Sequence, residues 1–110
     1  MDLPTTPPPF STTVRSATTS ATTVVVHGEV DALTGPQLER TLTAAWAGAP
    51  ASLLVDLSAV SFVNASSLAV LFRAGDEART RAAGFDVRGL PRPVERFLAG
   101  RQLTLAVIAA

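Results

Sequence analysis

Two adjacent serines, Ser66 and Ser67, are the residues of this chain best suited to chemistry. They follow Asn64 and Ala65 and precede an apolar run that begins at Leu68. This order of residues is typical of a helix start, where backbone N–H groups are unpaired and the helix dipole is positive. A phosphate or another anion is well tolerated at such a position. The two hydroxyls are therefore candidate phosphate acceptors, although serines are equally ordinary as first-turn residues.

A catalytic role for these serines needs groups that the chain lacks. A serine nucleophile requires a base, and the single histidine, His27, belongs to a different predicted strand. No Gly-x-Ser-x-Gly turn surrounds Ser66, and the chain has neither lysine nor cysteine nor a glycine-rich phosphate loop. We therefore predict that the protein is not an enzyme and uses no cofactor. Any phosphate on the chain then comes from another protein.

The remaining polar candidates have structural explanations. Asn64 is expected to cap the helix by accepting the N–H of Ser66 or Ser67. Asp31 is expected to shape the loop that enters the first helix, and Glu29 to face a partner. Asp56 stands alone as a carboxylate without a second ligand beside it, so a hydrogen-bonding role is favoured over a metal site. His27 is expected to be an ordinary surface or packed residue.

Hydrophobic periodicity predicts the elements that position these residues. Apolar residues from Leu53 to Leu57 indicate a strand covered on both faces, followed by a turn. Strands alternate with helices along the chain, which predicts an α/β domain with a mainly parallel mixed sheet of four to five strands and right-handed crossovers. The predicted strands are Phe10–Arg15, Thr23–Val30, Leu53–Leu57, Phe85–Arg88 and Leu103–Ile108, and the predicted helices are Thr34–Ala47, Ala65–Ala83 and Pro91–Gly100.

The same periodicity predicts which side chains are buried. Leu38, Leu42 and Trp46 recur every four residues in the first helix, and Gly48 is expected to end it. Gly84 is expected to end the second helix. The second helix is expected to bury Leu68, Leu71, Phe72, Gly75 and Ala82, the third helix Val94, Phe97 and Leu98, and the strands Val26, Leu54, Val55 and Leu57.

The stretch around the serines resembles the STAS domain family, which includes bacterial anti-sigma factor antagonists. Those antagonists carry Asp-Leu-Ser, an apolar pair, then Asp-Ser-Ser-Gly-Leu or Asp-Ser-Thr-Gly-Leu before an apolar helix. The same order and spacing occur at residues 56–58, 62–63 and 64–68, and the family's Gly-Glu-hydrophobic-Asp occurs at residues 28–31. The resemblance covers about residues 10 to 108. In the family the helices gather on one side of the sheet.

The resemblance implies a phosphoacceptor and a partner surface. The family's phosphorylated hydroxyl falls on Ser66, with Ser67 as the less favoured acceptor. Three neighbours depart from the family pattern, since Asn64 replaces Asp, Ala65 replaces Ser and Ser67 replaces Gly. The positions assigned to partner binding by this resemblance are Glu29, Asp31, Asn64, Ala65, Ser66, Ser67, Leu68 and Phe72.

The function implied is an anti-sigma factor antagonist that binds an anti-sigma factor/serine kinase and is switched off by phosphorylation. The alternative is a phosphorylation-independent STAS binding module, such as a small subunit that partners an ABC-type ATPase in lipid transport. Ala65 and Ser67 favour this alternative, because they stand where the family has a patterned serine and glycine.

Composition bounds the setting in which the protein acts. The chain has 110 residues, zero formal net charge and nine dispersed arginines, so nucleic acid is not an expected partner. The absence of cysteine and of a long apolar run predicts a cytoplasmic protein without membrane insertion. Residues 1–9 are predicted to be a flexible Pro/Thr-rich tail and residues 10–110 the STAS domain, acting as a monomer or weak dimer.

Overall fold

The structure is a computed structural model that describes residues 9–16, 20–100 and 107–108. The predicted tail therefore lies, except for Pro9, outside the described residues. The described elements, in chain order, are β1 (Ser11–Ser16), β2 (Ala21–Val30), α1 (Gly35–Ala47), β3 (Ser52–Val63), α2 (Ala65–Thr80), β4 (Gly84–Arg88), α3 (Arg92–Gly100) and β5 (Val107–Ile108).

One five-stranded sheet, in the order β1-β2-β3-β4-β5, accounts for every strand in the described ranges. β1 pairs with β2 antiparallel, whereas each later neighbouring pair is parallel. Parallel neighbours require crossovers, which are right-handed. Each crossover moves one strand further in the same direction, so the three helices lie on one face of the sheet. The predicted α/β fold with a mainly parallel sheet and one-sided helices is confirmed.

Burial alternates along the central strands because helices cover only one sheet face. Leu53, Val55 and Leu57 of β3 are at most 1% exposed, whereas Leu54 between them is half-buried. Successive side chains of a strand point to opposite faces, so Leu54 lies on the face without helices. The prediction that Leu53–Leu57 is covered on both faces is therefore wrong, and Leu54 is not a core residue. The same alternation in β2 buries Val26 and leaves its neighbours half-buried, as predicted.

No turn separates β3 from the serines, contrary to the prediction, because β3 continues to Val63. The pairing of β3 with β2 shifts twice, between Val25 and His27 and between Gly28 and Glu29. At each shift β3 carries one extra residue, which is a β-bulge. Gly28 has φ 95°, a backbone conformation that favours glycine. Beyond the two bulges, β3 stays paired with β2 up to Val63, the residue before Asn64.

The first helix packs and ends as predicted. Leu38, Leu42 and Trp46 are at most 3% exposed, which confirms the predicted stripe. The helix ends at Ala47 and Gly48 caps it, as predicted, with φ −75° and with its N–H donating to the Ala45 carbonyl at 3.2 Å. The next residue, Ala49, has a left-handed backbone conformation, with φ 53°.

The second helix is shorter than predicted and its buried face is rotated. Leu68 and Leu71 are buried, but Phe72 is only half-buried. Ala82 lies beyond the helix with φ 54° and is exposed, so the helix ends at Thr80 and Gly84 begins β4. Gly75 is half-buried. The helix also buries Val70, Ala74 and Ala78, because α2 packs against both the sheet and α1.

The third helix begins one residue later than predicted. Val94 and Leu98 are buried and Phe97 is half-buried against the core, so two of the three predicted core contacts are fully buried. Of the predicted last strand, only Val107–Ile108 is described, and it pairs with β4. Residues 103–106 lie outside the described residues.

Candidate functional site

Asn64 places Ser66 in the first turn of α2 with its hydroxyl toward solvent. Asn64 has an extended backbone, with φ −80° and ψ 162°, and its Oδ1 accepts the N–H of Ser67 at 2.8 Å. This contact is the predicted helix cap, with Ser67 rather than Ser66 as the donor. The Ser66 hydroxyl donates to the same Oδ1 at 3.2 Å, and Ser66 is exposed. The hydroxyl that the resemblance assigns to phosphorylation is therefore accessible.

Ser67 has a different environment from its neighbour. Its side chain is 4% exposed, and its Oγ donates to the backbone carbonyl of Asp31 at 3.2 Å. A Cβ added at Gly35 would lie 3.0 Å from this Oγ, so α1 and α2 touch closely here. Ser67 thus connects the β2–α1 loop to the start of α2. A buried, bonded hydroxyl is a poor acceptor for a kinase that must reach it.

Asp31 organises the loop that leads into α1. One carboxylate oxygen accepts the backbone N–H groups of Leu33, at 2.9 Å, and Thr34, at 3.0 Å. The Thr34 hydroxyl donates to the Glu29 carbonyl at 2.7 Å. The hydrogen bonds from the Thr34 and Leu33 N–H groups lower the pKa of Asp31 below its usual value. Asp31 therefore shapes the loop, as predicted, and stays ionised at neutral pH.

A cleft of about 240 Å³ lies between the first turns of α1 and α2, and we call it the Ser66 cleft. Arg73 of α2 crosses it to Glu39 of α1, with Nη2 and Oε2 2.5 Å apart. Both side chains are about half exposed, 57% and 45% respectively, so this ion pair is easily rearranged. The residues that line the cleft are Asp31, Ala32, Gly35, Pro36, Glu39, Ser66, Ser67, Val70 and Arg73.

Two large apolar side chains are exposed near this end of the sheet. Leu33, in the loop shaped by Asp31, is 81% exposed, and Phe62, which pairs with Glu29 two residues before Asn64, is 43% exposed. Neither residue is among those that the sequence predicts for the site. Leu33 precedes the helix and belongs to no periodic stripe, which is the signal that it has no place in the core.

The other residues assigned to partner binding are spread over different depths. Ala65 is exposed, and Glu29 is half-buried on β2. Leu68 is 4% exposed and belongs to the core, while Phe72 is half-buried against that core. The side chains that can meet a partner directly are therefore those of the helix start and the Asp31 loop. Leu68 supports these side chains from its place in the core.

Asp56 and His27 lie away from the Ser66 cleft. Asp56 Oδ1 accepts the N–H of Ser58 at 2.9 Å, which is the structural role expected for it. Hydrogen bonds from the Ser58 hydroxyl and N–H, together with the nearby charges of Arg88 and His27, lower the pKa of Asp56. Within residues 9–16, 20–100 and 107–108, no group of three His, Asp or Glu side chains is arranged to hold a metal ion.

A second groove, of about 250 Å³, lies further along the same two helices. Trp46 lines it, and the Arg81 guanidinium lies 5.8 Å from the Trp46 ring centroid while donating to the Trp46 carbonyl at 2.9 Å. Arg81 also pairs with Glu77, four residues earlier in the chain, at 2.7 Å. These contacts hold the ends of α1 and α2 together.

No helix among the described elements has the length and apolar character needed to cross a membrane.

Comparison with known proteins agrees with this architecture. The sequence profile of the family described as "Mlab, STAS domain" matches residues 13–104. No curated protein sequence gives a significant match. Among solved structures, an anti-sigma factor antagonist from Mycobacterium paratuberculosis is 28% identical, with a TM-score of 0.74, over 89% of this chain and 86% of that chain.

Two further solved structures share the fold at lower identity. The anti-sigma factor antagonist SpoIIAA in its unphosphorylated form is 17% identical, with a TM-score of 0.75, over 91% of this chain and 88% of that chain. The Bacillus cell fate determinant SpoIIAA in its phosphorylated form is 15% identical, with a TM-score of 0.73, over 91% of each chain. The chain belongs to the STAS domain family, and its fold is that of anti-sigma factor antagonists.

Proposed function

We propose that this STAS domain is an anti-sigma factor antagonist that binds an anti-sigma factor/serine kinase and is switched off by phosphorylation of Ser66. The observation that carries the proposal is the contrast between the two serines. Ser66 is exposed at the N-terminus of α2, whereas Ser67 is 4% exposed and bonded to the Asp31 carbonyl. A kinase acting at this helix start therefore meets one hydroxyl. The proposal makes the protein a binding partner and a kinase substrate, with no catalysis of its own.

The proposed contact surface combines a helix start with a preformed loop. The exposed residues Ala65 and Ser66 lie beside the loop held by Asp31, and Leu33 projects from that loop with 81% of its surface free. Exposed apolar side chains ringed by polar groups are common anchors of protein interfaces. We assign Leu33 and the start of α2 to partner binding. Leu68 and Phe72 contribute by supporting this surface from the core side.

Phosphorylation would release the partner through charge at this surface. A phosphate on Ser66 adds about −1.5 to −2 charges at pH 7. The positive end of α2 tolerates this charge, so the domain stays folded. Asn64 favours the modified state in a second way, because it is neutral where the family has an aspartate that would repel the phosphate. The interface then fails by repulsion and by the cost of burying the new charge.

Phosphate mapping tests this proposal. The domain is incubated with the anti-sigma kinase and ATP, and the phosphorylated peptide is identified by mass spectrometry. We expect one phosphate on Ser66, its loss in Ser66→Ala, and its retention in Ser67→Gly, which restores the family's residue. Phosphate on Ser67 alone, or undiminished phosphorylation of Ser66→Ala, would contradict the assignment.

A second function is favoured by the description of the matching family profile, which names Mlab. On this alternative the domain is a phosphorylation-independent subunit that partners an ABC-type ATPase in lipid transport. Ala65 and Ser67 at patterned positions support it. Co-purification from the native host separates the two functions: a sigma-regulating kinase supports the antagonist, and an ABC-type ATPase with unmodified Ser66 supports the subunit.

A further inference from the structure

The Ser66 cleft contains one cation and two carboxylates among its lining residues. Asp31 is engaged by the N–H groups of Leu33 and Thr34, and Glu39 is paired with Arg73. A phosphate on Ser66 would enter a space that already holds two negative charges. Arg73 is the charged group lining this cleft that can attract it.

Arg73 lies within reach of a phosphate at this position. Ser66 and Arg73 are seven residues apart in α2, which is about two helical turns, so they project from one side of the helix. Arg73 already leans toward the helix start, because it meets Glu39 of α1. Glu39 is only four residues, or about 6 Å of helix rise, beyond Gly35, and Gly35 is where α1 touches Ser67. Ser66 and Arg73 line the same cleft, so the guanidinium can turn toward a phosphate on Ser66.

Charge decides which anion Arg73 would bind. A phosphate dianion carries more charge than a carboxylate and offers three oxygen acceptors, and arginine binds such oxygens with two parallel hydrogen bonds. The Arg73–Glu39 pair is half exposed, so breaking it costs little.

We propose, on the basis of the proposed function, that Arg73 binds a phosphate on Ser66. In doing so, Arg73 gives up its ion pair with Glu39. The exchange removes the ion pair that bridges α1 and α2 and leaves the Glu39 carboxylate unpaired at the mouth of the cleft. Phosphorylation would then alter the partner surface at two places, Ser66 and Glu39. Arg73 is a positioning residue for the modified state.

The test uses phosphoserine encoded genetically at position 66, so that no kinase is needed. ³¹P NMR then follows the second ionisation of the phosphate, which has a pKa of about 6 in an unperturbed phosphoserine. The charged groups lining the cleft around it are Asp31, Glu39 and Arg73. We expect Arg73→Gln to raise this pKa by about 0.5 unit or more, because a nearby cation favours the dianion. Glu39→Gln should lower it, since that variant frees Arg73 and removes a negative charge.

Arg79→Gln is the matched control, since it removes one positive charge from the far end of the same helix, where Arg79 pairs with Asp76. It should leave the phosphoserine pKa unchanged. Equal pKa values in Arg73→Gln and the parent protein, or equal shifts in Arg73→Gln and Arg79→Gln, would overturn the proposal. Failure of the anti-sigma kinase to modify Ser66 would instead refute the proposed function, and the ³¹P titration would still report on Arg73.

Discussion

Gly35→Ala probes the close contact between the two helices that build the Ser66 cleft. Gly35 is the first residue of α1, and a Cβ there would lie 3.0 Å from Ser67 Oγ. This distance is shorter than an ordinary contact, so the Ser67 hydroxyl or the helix must move. If the hydroxyl rotates away, Ser67 loses its bond to the Asp31 carbonyl, and a lost hydrogen bond of this kind costs about 0.5–1.5 kcal/mol.

Replacing Ser67 by glycine should remove the conflict. In that background the new methyl group meets open space, and the cost of Gly35→Ala should fall by about 1 kcal/mol, the strength of the lost bond. Pro36 follows Gly35 and disfavours helical geometry for a residue with a Cβ. This effect is present in both backgrounds and cancels when the two are compared.

Urea unfolding of the parent, both single variants and the double variant measures this coupling. We predict that Gly35→Ala destabilises the domain by about 1 kcal/mol more in the presence of Ser67 than in its absence. Equal changes in unfolding free energy in the two backgrounds would refute the contact. The result bears on function because Ser67 stands where the family has glycine, and Gly35 provides the room that this exchange needs.

Three other predictions follow from the structure. Leu53→Ala should cost about 2–5 kcal/mol of unfolding free energy and Leu54→Ala clearly less, because Leu53 is 1% exposed and Leu54 is half-buried. Equal losses in urea unfolding would show that the sheet is covered on both faces. The pKa of Asp31 is lowered in the folded state, so the ionised carboxylate stabilises the fold above the unfolded pKa of 3.8, and this stabilisation is lost as pH falls through the lower folded pKa. The difference in unfolding free energy between the parent and Asp31→Asn should therefore shrink over that acid range. A difference that is constant with pH would contradict the loop geometry. Leu33→Ser should weaken partner binding without changing the melting temperature, because Leu33 is 81% exposed. An unchanged affinity, measured by calorimetry, would show that Leu33 is not part of the proposed surface.

The fold was largely predictable because its signals are local. The burial of Val26 in β2 and the period-four burial from Leu38 to Trp46 both follow from one-sided packing, and residue type alone predicts both. Leu54 was misassigned because an unbroken apolar run does not reveal whether one or two faces of a strand are covered. The end of α2 was misplaced because Ala82 adopts a left-handed backbone that alanine seldom takes.

The sequence motif of the site was predictable, but the burial of its residues was not. Asn64 as a cap and Asp31 as the loop organiser follow from short-range hydrogen-bonding rules. That Ser67 is buried depends on the Asp31 carbonyl, which is 36 residues away in the chain. The pairing of Arg73 with Glu39 is also a contact between two helices, and the two residues are 34 positions apart in the chain. Such contacts depend on how the helices are placed, which local patterns do not define.

The affinity of a charge-bearing variant for the anti-sigma factor tests the central claim most directly. Ser66→Asp places a negative charge at the start of α2, and Ser16→Asp places the same charge on an exposed serine at the opposite end of the sheet. Titration calorimetry on the folded proteins should show at least a tenfold loss of affinity for Ser66→Asp, about 1.4 kcal/mol, and none for Ser16→Asp. Undiminished binding by a folded Ser66→Asp protein would contradict the account.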